Sequence, residues 1–111
     1  EAMTRAQTYT RLLIERRESL ETTVVVSHHY LVNAGAGPAF NVVLRAAEDT
    51  FVWTAQALPP SSEHRLDFGR GVQGAFFSTL APIYLEYDDA YGEHRVTTWQ
   101  LDLIRGWICK A

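Results

Sequence analysis

Gly69-Arg-Gly71-Val-Gln-Gly74 spells G-x-G-x-x-G, and Asp88 or Asp89 follows about twenty residues on. That spacing could hold a pyrophosphate on backbone amides and a ribose on the carboxylate. The surroundings argue against it. His64-Arg-Leu-Asp-Phe68, just before the glycines, is half charged, whereas a central parallel strand is almost wholly apolar. Ala75 to Ala81 leaves about two helical turns, too short to cross a sheet. A glycine-rich loop between strands explains the same residues. Four histidines raise metal binding. His28 and His29 are adjacent in a strand and face opposite sides. His64 and His94 stand near charged strand ends. A metal site would have to assemble across strands, with Asp88 or Asp89 as oxygen ligands, and no ligand spacing marks one. Asp88-Asp89 with Glu93 lacks the calcium-loop pattern and reads as a solvated hairpin tip. Glu86 and Asp88 share one face of a strand, and paired carboxylates can divide acid and base work. On an exposed face they only solvate it. Ser27, Ser61, Ser62 and Ser78 have no G-x-S-x-G context. Cys109 is the sole cysteine, which excludes an intrachain disulfide or a cysteine metal cluster. Tyr30, Tyr84 and the tryptophans could form an exposed aromatic patch, but the balance favours Trp53 and Trp99 as core. No catalytic, cofactor-binding or metal-ligating residue is expected.

The chain that must position these residues has 111 of them, 47% hydrophobic and 21% charged, which suits one globular domain rather than a disordered segment. A chain this size buries about two-thirds of its unfolded surface, enough for one core. The net charge is −3 with no basic stripe, which argues against nucleic-acid binding. No window approaches the ~20 apolar residues of a membrane-spanning helix, and no signal-peptide pattern is visible. With the lone cysteine, these features lean towards the cytoplasm. The chain opens on Glu1, so either Glu1-Ala2 precedes a native Met3 or the chain is part of something longer. Any membrane link would then lie upstream.

Met3 to Leu20 has no Gly or Pro and is rich in helix formers. Ala6, Tyr9, Leu13, Arg16 and Leu20 fall on three- and four-residue steps, with Leu12 and Ile14 off that seam. This predicts an N-terminal helix over residues 1–21, packed on its own domain. The alternatives are a helical seam that dimerises through Leu13 and a helix that connects to a missing upstream part. From Thr22 the β-branched run ends helical periodicity. Strands are predicted at Thr23–Asn33, Phe40–Ala46, Phe51–Ala55, His64–Phe68, Ile83–Asp88 and Glu93–Leu103. Phe40, Val42 and Leu44 should point inward, with Asn41 and Arg45 outward. Gly69–Thr79 gives no clear pattern, and Trp107 and Ile108 in the tail need cover. Six or seven short strands with regular turn signals imply an antiparallel sandwich over residues 22–111. A helix at one end disfavours a parallel α/β sheet.

Asn33-Ala-Gly-Ala-Gly-Pro-Ala-Phe-Asn-Val42 resembles the N-x-G-x-G-P-A-x-N-V segment of a loosely defined group of uncharacterised bacterial proteins. In these, a helical, often membrane-linked stretch precedes a small immunoglobulin-like β-sandwich. Tyr87-Asp-Asp-Ala-Tyr-Gly92, followed by Val96-Thr-Thr98, is similar to that group's Y-x-D-x-x-G hairpin and next strand. Leu58-Pro-Pro60 departs from the Pro-Gly turn expected there. The resemblance implies no catalytic residues. Mechanically, Asn33 can bond its own loop, Gly35 and Gly37 allow positive φ, and Pro38 starts the next strand.

The expectation is therefore a mainly β, immunoglobulin-like antiparallel sandwich of about seven strands with an N-terminal helix. Its expected role is a non-enzymatic interaction or accessory module with a protein partner and no cofactor. One alternative is a small-ligand, nucleotide or metal-binding domain using Gly69–Gly74 and the acidic 86–93 hairpin. Another is a homodimer built through the N-terminal helix.

Overall fold

The computed structural model describes residues 9–46, 51–66, 82–102 and 104–110. Among these, the chain forms β1 (Leu12–Glu21), β2 (Val24–Asn33), β3 (Ala39–Ala46), β4 (Phe51–Leu58), β5 (Glu63–Leu66), β6 (Ile83–Asp88), β7 (His94–Asp102) and β8 (Gly106–Cys109). Two antiparallel sheets result, one ordered β1-β2-β5 and the other β4-β3-β6-β7-β8. Leu12, Ile14, Leu31 and Leu66 from the first meet Val42, Leu44, Leu58, Ile83, Leu85 and Trp99 from the second in one core. The sheets therefore pack face to face as a β-sandwich. Fully burying each of these side chains is worth about 1.5–3 kcal/mol, against the entropy of ordering the chain.

The helix expected over Met3–Leu20 is corrected. Leu12 to Leu20 is strand, paired with β2 from Leu12↔Asn33 to Glu21↔Val24, and residues 1–8 lie outside the described residues. The physical reason lies in the two residues off the helical seam. Leu12 and Ile14, two apart, are each only 3% exposed, which is the strand period rather than the helical one. Helix propensity is a weak bias, and a full ladder plus core burial overrides it. Leu13, the proposed helical dimer contact, instead packs at the margin of the core. The division expected between residues 21 and 22 falls at the β1–β2 turn, inside one sheet. β1 and β8 are the strands beyond the six predicted. Gly69–Thr79 lies outside the described residues.

The crossover from β2 to β3 is held by Asn33. Its Nδ2 donates to the Gly37 carbonyl at 3.0 Å and the Leu58 carbonyl at 2.9 Å, and its Oδ1 accepts from the Gly35 amide at 3.0 Å. One side chain thus ties the end of the first sheet to the loop and to β4 of the second. The lead-in to β1 threads along the same loop. Tyr9 O accepts from the Gly37 amide and Arg11 O from the Ala34 amide, both at 2.8 Å. Thr10 Oγ1 donates to Pro38 O at 2.7 Å and accepts from the Ala90 amide at 2.9 Å.

Neither Gly35 nor Gly37 takes the positive φ expected of it. Gly35 is required for another reason: a Cβ there would meet the Arg11 amide nitrogen at 2.5 Å and, closer still, Tyr9 O. Both are backbone atoms and cannot swing aside. Gly35→Ala is expected to cost about 2 kcal/mol of stability through this overpacking. A urea denaturation midpoint equal to that of the unsubstituted chain would show that the lead-in does not lie against the loop.

Candidate functional site

β6 alternates strictly: Ile83, Leu85 and Tyr87 are buried, while Tyr84, Glu86 and Asp88 face outward. Its register carries that face across the sheet. Tyr84 lies opposite Thr98, Glu86 opposite Val96 and Asp88 opposite His94 on β7. On the other side, Glu86 lies opposite Val43 and Tyr84 opposite Arg45 on β3. Thr54 and Val52 of β4 continue these rows. The outward surface of the five-stranded sheet thus sets Tyr84, Val96 and Val52, each about half exposed, among Arg45, Glu86 and threonines.

One end of this face carries a polar cluster. Asn41 Nδ2 donates to Asp88 Oδ2 at 2.9 Å. His94 Nδ1 lies 2.9 Å from Asp88 Oδ1, and Nε2 lies 3.8 Å from Glu86 Oε2. The Asn41 bond, then His94, hold the Asp88 carboxyl below the usual carboxylate range. Asn41 reaches Asp88 because β3 is irregular between Phe40 and Val43, with Asn41 at φ 51°. Asn tolerates that left-handed conformation better than most side chains. The bulge also corrects an expectation, since Phe40 is 40% exposed rather than inward. Asn41 and Arg45 do face outward.

Chemically, this cluster is limited. Both ring nitrogens of His94 face carboxylates, so the imidazole has no hydroxyl or thiol to activate. Among the described residues, no group of three His, Cys, Asp or Glu is arranged to hold a metal. His94 and Asp88 are solvent-facing, where an ion pair adds little stability. The cluster is suited to hydrogen-bonding another surface.

The structure separates the remaining candidates. Asp89, beside Asp88 in sequence, turns inward and closes the β6–β7 hairpin. Its Oδ1 accepts from the Tyr91 and Glu93 amides at 2.9 Å, and its Oδ2 from Arg95 Nε at 3.2 Å. Burial alone would raise its pKa, but the Glu93 and Tyr91 amides with Arg95 outweigh it and hold the carboxyl low. The acidic 86–93 hairpin is therefore part sheet face and part turn. Gly69–Gly74 and Ser78 lie outside the described residues. The histidines are dispersed. His64 packs its ring 5.2 Å from that of Trp53, and His28 sits opposite Arg17 on β1. Cys109 is exposed at the end of β8.

Sequence reasoning weighed His29 only as a metal ligand and missed its place in the core. It is 3% exposed, and Trp107 Nε1 donates to its Nδ1 at 3.1 Å, the two rings meeting edge-on at 5.7 Å. The signal was its phase with Leu31, two residues on, together with a tail tryptophan in need of cover. Arg17 was passed over. It reaches Glu15 at 2.9 Å and Glu63 at 2.8 Å, and its guanidinium lies 4.4 Å from the centre of the Tyr30 ring.

No family model matches the chain, and neither a curated protein nor a solved structure matches it. No helix among the described residues is long and apolar enough to cross a membrane.

Proposed function

We propose that this chain is a non-catalytic protein-contact module, an immunoglobulin-like sandwich that binds a protein on the outward face of its five-stranded sheet. The strand order supports the fold reading: β1, β2 and β5 oppose β4, β3, β6 and β7, with β8 added at the edge. The observation that carries the function is the half-exposed row of Tyr84, Val96 and Val52, edged by Arg45, Glu86 and the Asn41–Asp88–His94 cluster. An aromatic and aliphatic centre with a polar rim is what protein interfaces present. The N-x-G-x-G-P-A-x-N-V resemblance supports a place in a longer bacterial protein, with any membrane link outside this chain.

Replacing Tyr84 by a photoactivatable phenylalanine analogue tests this in the native cell. The expected result is a protein adduct of defined mass, weakened at least about tenfold by Val96→Asp with the melting temperature unchanged. No adduct at Tyr84 would overturn the reading. So would saturable thermal stabilisation of the purified chain by a dinucleotide or a divalent cation, which would mark a small-ligand site instead.

A further inference from the structure

We infer that β1 is a self-pairing edge, through which two copies of this chain join antiparallel about a two-fold axis. The inference concerns a different surface from the outward sheet face and does not depend on it. Among the described residues, β1 has a strand on one side only. The bond from the Ala34 amide to Arg11 O fixes which backbone groups are free for pairing. Arg11, Leu13, Glu15, Arg17 and Ser19 aim theirs at β2, so Leu12, Ile14, Arg16, Glu18 and Leu20 aim theirs at the open side.

Those five residues select one register. With Arg16 opposite the partner's Glu18, Ile14 falls opposite the partner's Leu20, and symmetry repeats both pairs. Two charge pairs result, and each Leu20 lies at the partner's Ile14, whose own side chain is already buried in its core. A shift of one step either way sets Arg16 on the partner's Arg16 or Glu18 on the partner's Glu18, with like charges directly opposed. The favoured register has two costs: Arg16 must leave the Ile104 carbonyl, which its guanidinium reaches at 3.4 Å, and Arg17 meets the partner's Arg17 on the axis. The Arg17 guanidinium is already drawn back over its own sheet, by Glu15, Glu63 and the Tyr30 ring.

Shape supports the same register. Leu20 is 72% exposed, at the hairpin end where Val24 and Val25 are each 60% exposed. Beside Ile14, at the open edge, lies a cleft of about 270 Å³ lined by Ile14, Glu15, Arg16, Arg105, Gly106 and Trp107. The pairing that matches the charges also brings the partner's Leu20 to Ile14 and this cleft. Each copy presents the same Leu20 and the same cleft, as an isologous contact requires. Capping β1 also removes an edge that is open over ten residues among those described, which sheet proteins otherwise tend to shield.

Sedimentation velocity over a wide concentration range tests this with charge reversals. The unsubstituted chain is expected to dimerise. Arg16→Glu alone and Glu18→Arg alone each oppose like charges at two positions, and each is expected to weaken dimerisation at least about tenfold. Mixing the two variants opposes Glu to Arg at every such position and is expected to restore a dimer containing one of each. Leu20→Asp is expected to leave a folded monomer, since Leu20 is exposed within one copy. Circular dichroism checks that every variant folds. A monomer at all concentrations for the unsubstituted chain overturns the inference. A dimer that survives both single reversals, or a mixture that stays monomeric, overturns it as well.

Discussion

Asn33→Ala is expected to cost about 4 kcal/mol, a large part of the ~5–15 kcal/mol that holds a domain of this kind together. Asn33 is fully buried, and its side chain makes three hydrogen bonds to backbone groups of two different segments. Truncation leaves the Gly37 and Leu58 carbonyls and the Gly35 amide without that partner. Each buried group so orphaned costs about 1–3 kcal/mol, and partial relaxation brings the total below the sum. Asn33→Asp is expected to be worse. It removes both donors, aims carboxylate oxygens at two carbonyls, and buries a charge. The backbone of Asn33 also bonds Ser61 and Ser62, so the damage should spread to the turn before β5. Urea denaturation checks this: the midpoint should fall with the slope unchanged. A loss under ~1 kcal/mol would mean that Asn33 does not tie the sheets together.

Acid should destabilise the sandwich in two separate windows, and His29 sets the upper one. Burial first, then Arg16 and His28, push its pKa from 6.5 to about 4. The unfolded chain therefore takes up a proton at this residue between pH 6.5 and 4, while the folded chain does not. Stability from the neutral imidazole is complete above 6.5 and is lost as pH falls towards 4. The loss across that window is on the order of 3 kcal/mol. Glu63, Asp88, Asp89 and Asp102 are all held below their usual range. Their stabilisation is present above the ordinary carboxylate pKa of about 4 and disappears only at lower pH. His29→Gln keeps an acceptor for Trp107 and cannot titrate. Melting temperatures at pH 7, 5.5 and 4.5 should fall steeply for the unsubstituted chain and remain nearly level for His29→Gln. Parallel slopes would place the titrating group elsewhere.

Much of this architecture is legible from alternation. Ile83–Asp88 reads cleanly because three apolar residues alternate with Tyr84, Glu86 and Asp88, and the strand has those bounds. β2 and β7 follow their predicted spans to within a residue. The loop role of Asn33 is legible too, though its reach to Leu58 is a tertiary fact. β1 is obscured because Arg, Glu and Leu favour helix and only Leu12 and Ile14 are driven into the core. β8 is four residues long, too short to show a period. The Asn41 bulge leaves no mark in the composition, so the inward phase assigned to Phe40 fails there. His94 opposite Asp88 could have been found by counting back from the hairpin turn. His29 against Trp107 depends on two elements 78 residues apart, which no local pattern encodes.

The open edge and the cleft beside Ile14 exist only if Leu12–Glu21 is a strand against β2. In this pairing Ile14↔Leu31, Arg16↔His29 and Glu18↔Ser27 are the central three of the non-hydrogen-bonded pairs, whose Cα atoms lie closest. The most direct measurement is the pattern of nuclear Overhauser contacts between α-protons at these three pairs. Strong cross-strand contacts at all three are expected. Contacts between residues three apart along Met3–Leu20, with none to β2, would restore a helix and remove the edge.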